Sequence, residues 1–476
     1  MTSLPDRTVD VVVVGGGASG LATAYWLRTE HDADVVVLEA SDRAGGKVTT
    51  RELGGLPVDT GPDAFLSRAA DLGELVSRLG LVESVVGPLP GGAFVWSRGA
   101  LHPIPQGGFV GIPDRVLPLV RSRLLSPLGV ARAGLDLVLP RTPLGDDPSV
   151  ADVVRPRLGH EAFDRLVQPL LGGVHAGSAE RLSARSTVPE VLSIARSGRS
   201  LVLSLRSRRK AAPKPSTPPA PPLVSISGGM SRLTDALVAA VGAERVLVST
   251  PATSLRRTAV GWDVVTPSGT IAARTVVLAS PAYTTADLVA DTVPALADEL
   301  RGIEYADVAN VTLALRRSEV GELVGTGFLV PPVEDDIVVG CTWLTSKWPH
   351  LAGTDTVLVR CMVGRDGDSR WTAMDDDALV AAVRASLARM MRLTAEPVDV
   401  LVQRWPGAMP QYVVGHAARL ARIDAHLVEG LHLTGAAYRG SGLAGCVGDA
   451  RRTATAVAAS LTTDLPSDPS LQGAAR

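Results

Sequence analysis

Cysteine is scarce in this sequence: Cys341, Cys361 and Cys446 are the only three in 476 residues. They lie far apart and show no metal-ligand spacing, so neither a zinc site nor a disulfide framework is expected. Three isolated thiols fit small buried side chains in a reducing cytosol. An excess of one charge is also lacking. Lys and Arg number 47 against 49 Asp and Glu, for a net charge of −2, so no global field recruits nucleic acid. Long hydrophobic runs are missing too: no window supplies the roughly twenty uncharged apolar residues of a membrane span. The most apolar candidate, 116–139, contains Arg121, Arg123, Arg132 and Asp136 as well as Pro118 and Pro127. It reads as a buried amphipathic helix pair, with peripheral contact to a membrane surface as the other reading. Asp6, Arg7 and the glycines that follow interrupt any leader-type apolar segment. No Ser-His-Asp set, metal cluster or carboxylate pair demands a role, and no catalytic acid or base is assigned.

What is present is a chain with 46% hydrophobic residues and a mean hydropathy of +0.21, long enough to bury a large core and to divide into two or three domains. One stretch organises it. Val9–Val14 is a β-branched run, short enough for one buried strand. Gly15, Gly16, Gly17, Ala18, Ser19 and Gly20 follow at once, then a helical pattern from Leu21, then the apolar run Val35–Leu38 ending in Glu39. Strand, glycine turn, helix, strand and acid make one βαβ dinucleotide unit. Gly15 allows the tight turn, Gly17 close approach of a pyrophosphate, and Gly20 close packing of helix on strand. The phosphates would rest on free N–H groups at the helix start, and Glu39 would accept hydrogen bonds from a ribose diol. This unit by itself does not separate NAD from FAD.

Further along, a helix is expected over 71–79 and a hairpin over 93–104 around Arg98-Gly99. From 113 to 207 the apolar spacing turns helical, with Ser149 as a helix cap before Val150. Arg206–Lys210 is basic and 211–222 proline-rich, which together read as a solvated, flexible linker. Strand patterns return at 246–248, 262–266, 270–273 and 275–279. Others follow at 308–315, 327–330, 337–342 and 356–363, with a helix from Asp376. The last element is the strand Leu431–Thr434 running into a second glycine turn, Gly440-Ser441-Gly442-Leu443, before a helix from Asp449. A second glycine turn at a helix start is a second phosphate-type contact.

After Glu39 the residues Ala40, Arg43, Gly45, Gly46 and Lys47 resemble the second dinucleotide signature of the amine-oxidase-like flavoproteins, and Gly61-Pro62-Asp63 resembles the next element. Over nearly the whole chain the resemblance narrows to the oxygen-dependent porphyrinogen oxidases of haem biosynthesis. It is carried by Gly172–Gly177 with Leu182-Ser183, by Met409–Tyr412 with Gly415-His416, and by Gly435–Gly440 with Cys446. Gly111–Pro113, Cys341–Trp343 and Lys347–His350 look like the coproporphyrinogen III oxidase branch of Gram-positive bacteria. The resemblance implies an α/β fold. A discontinuous Rossmann-like FAD-binding domain (1–92, 223–290 and 405–476) would join a mixed α+β substrate domain (291–404). An inserted helical domain (93–207), with membrane association as an option, and a flexible loop (208–222) would complete it.

By the same resemblance, Gly15–Gly20, Glu39, Ala40, Arg43 and Gly46 hold the pyrophosphate and ribose side of FAD, and Lys47 lies on the flavin side. Gly61, Pro62, Asp63, Ala64, Trp405, Ser441, Gly442 and Leu443 line the flavin, and the backbone of Ala252 holds the adenine. Ala450 stands where family members commonly carry glycine. The implied reaction is hydride removal from a meso carbon of the macrocycle, in three two-electron steps, with dioxygen as acceptor and hydrogen peroxide as product. The substrate is a flat apolar ring with carboxylates at its rim. Gly327, Leu329 and Met362 would line its cavity, and Arg68, Arg98 and Lys347 are candidate cations for the propionates. His175 and His416 each admit two readings, a buried hydrogen-bonded histidine or a proton shuttle. The family further implies a cytoplasmic location and transient contact with a ferrochelatase. Competing functions are protoporphyrinogen IX oxidation on the same scaffold, amine or polyene oxidation, and a flavin-containing scaffold without turnover.

Overall fold

In the computed structural model, residues 8–211 and 221–463 are described. The strand Val9–Val14 sits at the centre of a seven-stranded sheet. It pairs in parallel with Val35–Leu38 on one side and with Gly269–Leu278 on the other. Its period of two splits it between two cores. Val11 and Val13 enter the core shared with the helix Ala18–His31, while Val12 and Val14 enter the core on the opposite face. That is why an unbroken apolar run serves better here than an alternating one. The helix Ala18–His31 is buried from Ser19 through Leu27 between the sheet and the C-terminal helix Gly442–Thr463.

Two strand patterns expected to be separate, 270–273 and 275–279, form the single strand Gly269–Leu278. Its first half makes a hairpin with Gly261–Thr266, and its second half pairs in parallel with Val9–Val14 and Leu431–Leu433. The C-terminal helix begins at Gly442 rather than Asp449. The turn before it closes because Gly440, at φ 148°, lets Gly445 pack directly on its backbone. Ala450 is fully buried in the core facing the first helix, so the extra methyl fills packing space and leaves the turn untouched.

A second seven-stranded sheet runs in the order Asp399–Pro410, Tyr305–Arg316, Thr356–Val363, Val338–Trp343, Gly327–Leu329, Ala93–Ser97, Ala100–Pro103. The hairpin 93–103 therefore lies in this sheet and not in the helical insertion: Ala93–Val95 pair in parallel with Gly327–Leu329. The strand Asp399–Pro410, assigned from sequence partly to the flavin-binding part, also belongs here, antiparallel to Tyr305–Arg316. One face of the sheet is closed by the helix Asp376–Met391 over Val311, Phe328, Cys341, Val359 and Cys361. The other face looks toward the glycine turns.

Helices fill 116–211. Ser149 caps Val150–Leu158 through a reciprocal capping box with Asp152. Arg157 and Asp136 form a buried ion pair at 2.7 Å that fastens this helix to the turn before it. The 116–139 segment is mixed in character. Leu119, Leu124, Leu125 and Ala133 are buried, whereas Leu117, Val120, Leu128, Leu135 and Val138 are exposed. The basic stretch Arg206–Lys210 is helical rather than a linker, because Leu201, Val202 and Leu205 anchor a helix that runs from Leu201 to Ala211. Its last turn holds Arg208, Arg209 and Lys210, where cations suit the helix dipole. Most of the proline-rich segment lies outside the described residues. Among them, no helix is long and apolar enough to cross a membrane.

Candidate functional site

The first glycine turn is held by contacts that only glycine admits. A Cβ on Gly20 would stand 1.9 Å from the carbonyl oxygen of Gly15. Gly17 caps the helix without a side-chain hydrogen bond, and the first turn holds no acid. The first helical bond is donated by Leu21, so the N–H groups of Ala18, Ser19 and Gly20 have no partner among the described residues. Unpaired donors at an uncapped helix start form a cradle for phosphate. The Arg43–Lys47 turn runs alongside: Gly45 N–H donates to Gly16 O at 2.8 Å, and Gly46 lies against the Cα of Gly17. Arg43 stays exposed and braces the turn through Gly46 O at 2.8 Å. Glu39 accepts from Gly16 N–H at 2.7 Å with one oxygen, and from the N–H and hydroxyl of Ser41 with the other. Thr250 N–H donates to Glu39 O, which carries the chain to Ala252. The backbone of Ala252 makes no hydrogen bond among the described residues. Lys47 is packed round by protein yet keeps an accessible side chain. Burial pulls its ammonium below the usual lysine range, partly opposed by Cys446.

The segment Asp59–Ala64 is gripped from the second sheet. Asp63 receives Lys347 Nζ at 2.9 Å and Trp348 Nε1 at 3.0 Å on one oxygen, and Arg360 at 2.9 Å on the other. Burial alone would raise this carboxyl, but Arg360 and then Lys347 hold it far below the ordinary range. Arg360 also donates to Asp59 O at 2.9 Å and Gly61 O at 3.3 Å. Asn310 and Trp405 both donate to Thr60 O, at 2.8 and 3.0 Å. Gly61 has no room for a side chain, since its Cβ would meet Lys47 O at 1.9 Å. Asp59 is different: burial pushes its carboxyl up to about 6, although it accepts from Thr50 Oγ1 and Met230 N–H.

On the open face of the second sheet, Leu329, Gly340, Met362 and Asn310 stand side by side in register. A Cβ on Gly340 would lie 2.7 Å from the Met362 methyl and 3.1 Å from Leu329 Cδ2, so both side chains lie across the bare glycine. The result is a low apolar surface beside the Asp59–Ala64 segment. Gly327 is buried at the start of the strand that ends in Leu329. Opposite stands the end of the helix Gln168–His175. Gly173 faces Leu329, and the His175 ring faces Ser441 at 3.5 Å. The second glycine turn is pinned from behind: Tyr412 OH donates to Ala436 O and accepts from Gly440 N–H, and its ring stacks on His416 at 4.1 Å. His416 reaches Tyr438 O, so it has a structural partner.

The three rim cations are not alike. Lys347 is already neutralised by Asp63. Arg98 pairs with Glu161 at 2.7 Å and donates to the carbonyls of Arg123 and Leu124. Arg68 is exposed and has no ion-pair partner among the described residues. Sequence reasoning passed over Arg360, Asn310 and Asp59. Arg360 did carry a signal: a lone charge within Thr356–Val363, otherwise apolar apart from its first residue, needs a buried partner.

The uncapped helix start and the glycine contacts fit a dinucleotide flavin. Residues 18–458 match the family described as flavin containing amine oxidoreductase. The chain belongs to that family. FAD is its cofactor, and the protein is an oxidoreductase. Its relatives include coproporphyrinogen III oxidase of Bacillus subtilis, 32% identical over 93% of this chain and 97% of that protein. The Mycobacterium leprae protein of the same name is 34% identical over 94% and 98%. A crystal structure from Exiguobacterium, titled for protoporphyrinogen oxidase, superposes with a TM-score of 0.85 at 29% identity, covering 95% of this chain and 99% of its own. With cyclohexylamine oxidase of Brevibacterium oxydans the chain shares the fold, at TM-score 0.68 and 20% identity over 96% and 100% of the two chains.

Two predictions follow from the gripped segment. Replacing Arg360 by Met leaves Asp63 buried beside one cation instead of two, and should strip FAD during purification. Arg360→Met combined with Asp63→Leu should retain more FAD than the single variant, as absorbance at the flavin band will show. For Asp59, the folded carboxyl at about 6 lies above its unfolded value near 3.9. Its ionisation therefore costs stability in full above pH 6, and the cost disappears as pH falls toward 4. Urea unfolding should find Asp59→Asn more stable than the parent by about 2–3 kcal/mol at pH 7.5, with the two converging near pH 4.

Proposed function

We propose that the protein oxidises coproporphyrinogen III to coproporphyrin III, with dioxygen as acceptor and hydrogen peroxide as product, in the branch of haem synthesis that makes coproporphyrin before iron insertion. The observation that carries this reading is full-length similarity to several bacterial coproporphyrinogen III oxidases, including that of Staphylococcus aureus, 31% identical over 95% of this chain. Bound FAD supplies the hydride acceptor. The chain's own work is placement. Its flat patch of Leu329, Gly340 and Met362 offers one apolar face to a planar ring, with Gly327 behind it. Gly61–Ala64 and Trp405 would flank the flavin edge, Ser441–Leu443 its side chain, and the first glycine turn with Glu39, Ala40, Arg43, Gly46, Lys47 and Ala252 the dinucleotide. Arg68 is the cation best placed in charge terms for a propionate, since Lys347 and Arg98 are already paired. A cytoplasmic site of action and handover to a ferrochelatase complete the proposal.

A second reading, protoporphyrinogen IX oxidation, draws on the rice chloroplast protoporphyrinogen oxidase, 32% identical over 96% of this chain. Aerobic turnover of the FAD-loaded protein on both porphyrinogens, followed by porphyrin fluorescence, separates the two. A clear preference for coproporphyrinogen III is expected. Preference for protoporphyrinogen IX would move the substrate assignment to the second reading.

A further inference from the structure

His175 ends the helix Gln168–His175, which Ala176 closes in the left-handed conformation at φ 49°. Its ring lies where three parts of the chain meet. The helix end backs onto the apolar sheet face, since a Cβ on Gly173 would stand 3.1 Å from Leu329 Cδ2. Beside it is the second glycine turn, with Ser441 Oγ 3.5 Å from Nδ1. Behind it, the carbonyl of His175 is held by Gln411 Nε2 at 2.9 Å, which fixes where the ring emerges. Nε2 has no hydrogen-bond partner among the described residues, yet it is not sealed in: His175 retains 9% exposure, and Nε2 is absent from the buried polar atoms without partners.

Resting on the porphyrinogen reading, we propose that His175 is the base of the oxidation: Nε2 accepts the proton released in each step, while Ser441 holds the ring by accepting from Nδ1–H. Each two-electron step removes a hydride from a meso carbon and one proton. In two of the steps that proton leaves a pyrrole nitrogen, and in the remaining one it leaves the fourth meso carbon, so that the porphyrin keeps a hydrogen on every meso carbon and two N–H groups. Bound FAD would accept the hydride. Where nitrogen is deprotonated, the pyrrole N–H bond breaks and its electron pair completes a new C=N bond of the ring. Where the fourth meso carbon is deprotonated, the C–H pair forms a ring C=C bond. In each case the proton forms the second N–H bond of an imidazolium. A hydrogen bond at Nδ1 is what leaves the Nε2 lone pair free for this task. Three steps per substrate require the base to empty between them. Burial alone lowers His175 to about 4, with no charged group contributing, so the imidazolium is a strong acid that returns its proton to solvent quickly. Asp366, whose backbone N–H donates to the carbonyl of Ala176, the residue after His175, has its carboxylate paired with Arg181 and does not offset this.

The test uses the FAD-loaded full chain carrying His175→Ala or His175→Phe. Both variants are expected to keep the parent flavin absorbance and to bind coproporphyrin III within about threefold of the parent, read by fluorescence titration. Turnover of coproporphyrinogen III should fall about 100-fold or more in each. Added imidazole should restore His175→Ala in proportion to its free-base fraction as pH is varied, and should leave His175→Phe unchanged. Turnover of His175→Phe above about a third of the parent overturns the proposal. So does a slow, FAD-loaded His175→Ala that imidazole does not restore. Loss of FAD from His175→Phe would make the residue a prop for the glycine turn and end its role as base. A parent protein inactive on either porphyrinogen defeats the underlying reading before any variant is made.

Discussion

The site depends on one buried carboxylate. Asp63 accepts from Arg360, Lys347 and Trp348, and Arg360 continues to the carbonyls of Asp59 and Gly61. Those bonds tie the short segment Asp59–Ala64, which runs on from a small hairpin outside both large sheets, to the open face of the second sheet. Taking Asp63 and Arg360 out of water is costly, and only close, multiple hydrogen bonds offset it. The geometry supplies them at both ends of the guanidinium. The consequence is a fixed distance between the glycine turns, which belong to one sheet, and the Leu329–Met362 surface, which belongs to the other. A hydride donor and its acceptor need such a fixed separation, because a small displacement of either costs a large factor in rate.

The second sheet separates its two faces by the period of its strands. In Thr356–Val363, Val357, Val359, Cys361 and Val363 point into the core under the helix Asp376–Met391, while Leu358, Arg360 and Met362 point the other way. One strand thus delivers packing, the anchor of the flavin-side segment and part of the apolar surface. Glycine at 340 keeps that surface low. The left-handed close of the helix at Ala176 brings His175 to the opposite wall. Fold and site share the same backbone, so the polar groups here are held by secondary structure on two sides and not by loops alone.

Much of this was legible in the chain because its signals are local. The run Val9–Val14, the glycines at 15, 17 and 20 and the acid at 39 fall within one βαβ unit, and each obeys a rule that does not depend on distant residues. Ser149 as a cap is local in the same way. Misreadings occurred where a distant partner overruled local pattern. Arg206–Lys210 reads as linker by charge, but Leu201, Val202 and Leu205 find a core and make it helix. The hairpin 93–103 neighbours helices in sequence and joins strands 234 residues later only because Gly327–Leu329 offers an edge.

By itself, then, the sequence determined the dinucleotide unit and, through motifs that resemble a known family, the flavin and the family, since each is written in short contiguous patterns. The tertiary structure decided which charges are free. Lys347 and Arg98 look as available as Arg68 when read along the chain, and only the fold sets Asp63 beside the first and Glu161 beside the second. It also decided that His175 meets Ser441, 266 residues away. Ion pairs and hydrogen bonds act over a few ångströms, and no sequence spacing encodes which residues the chain will bring within that reach.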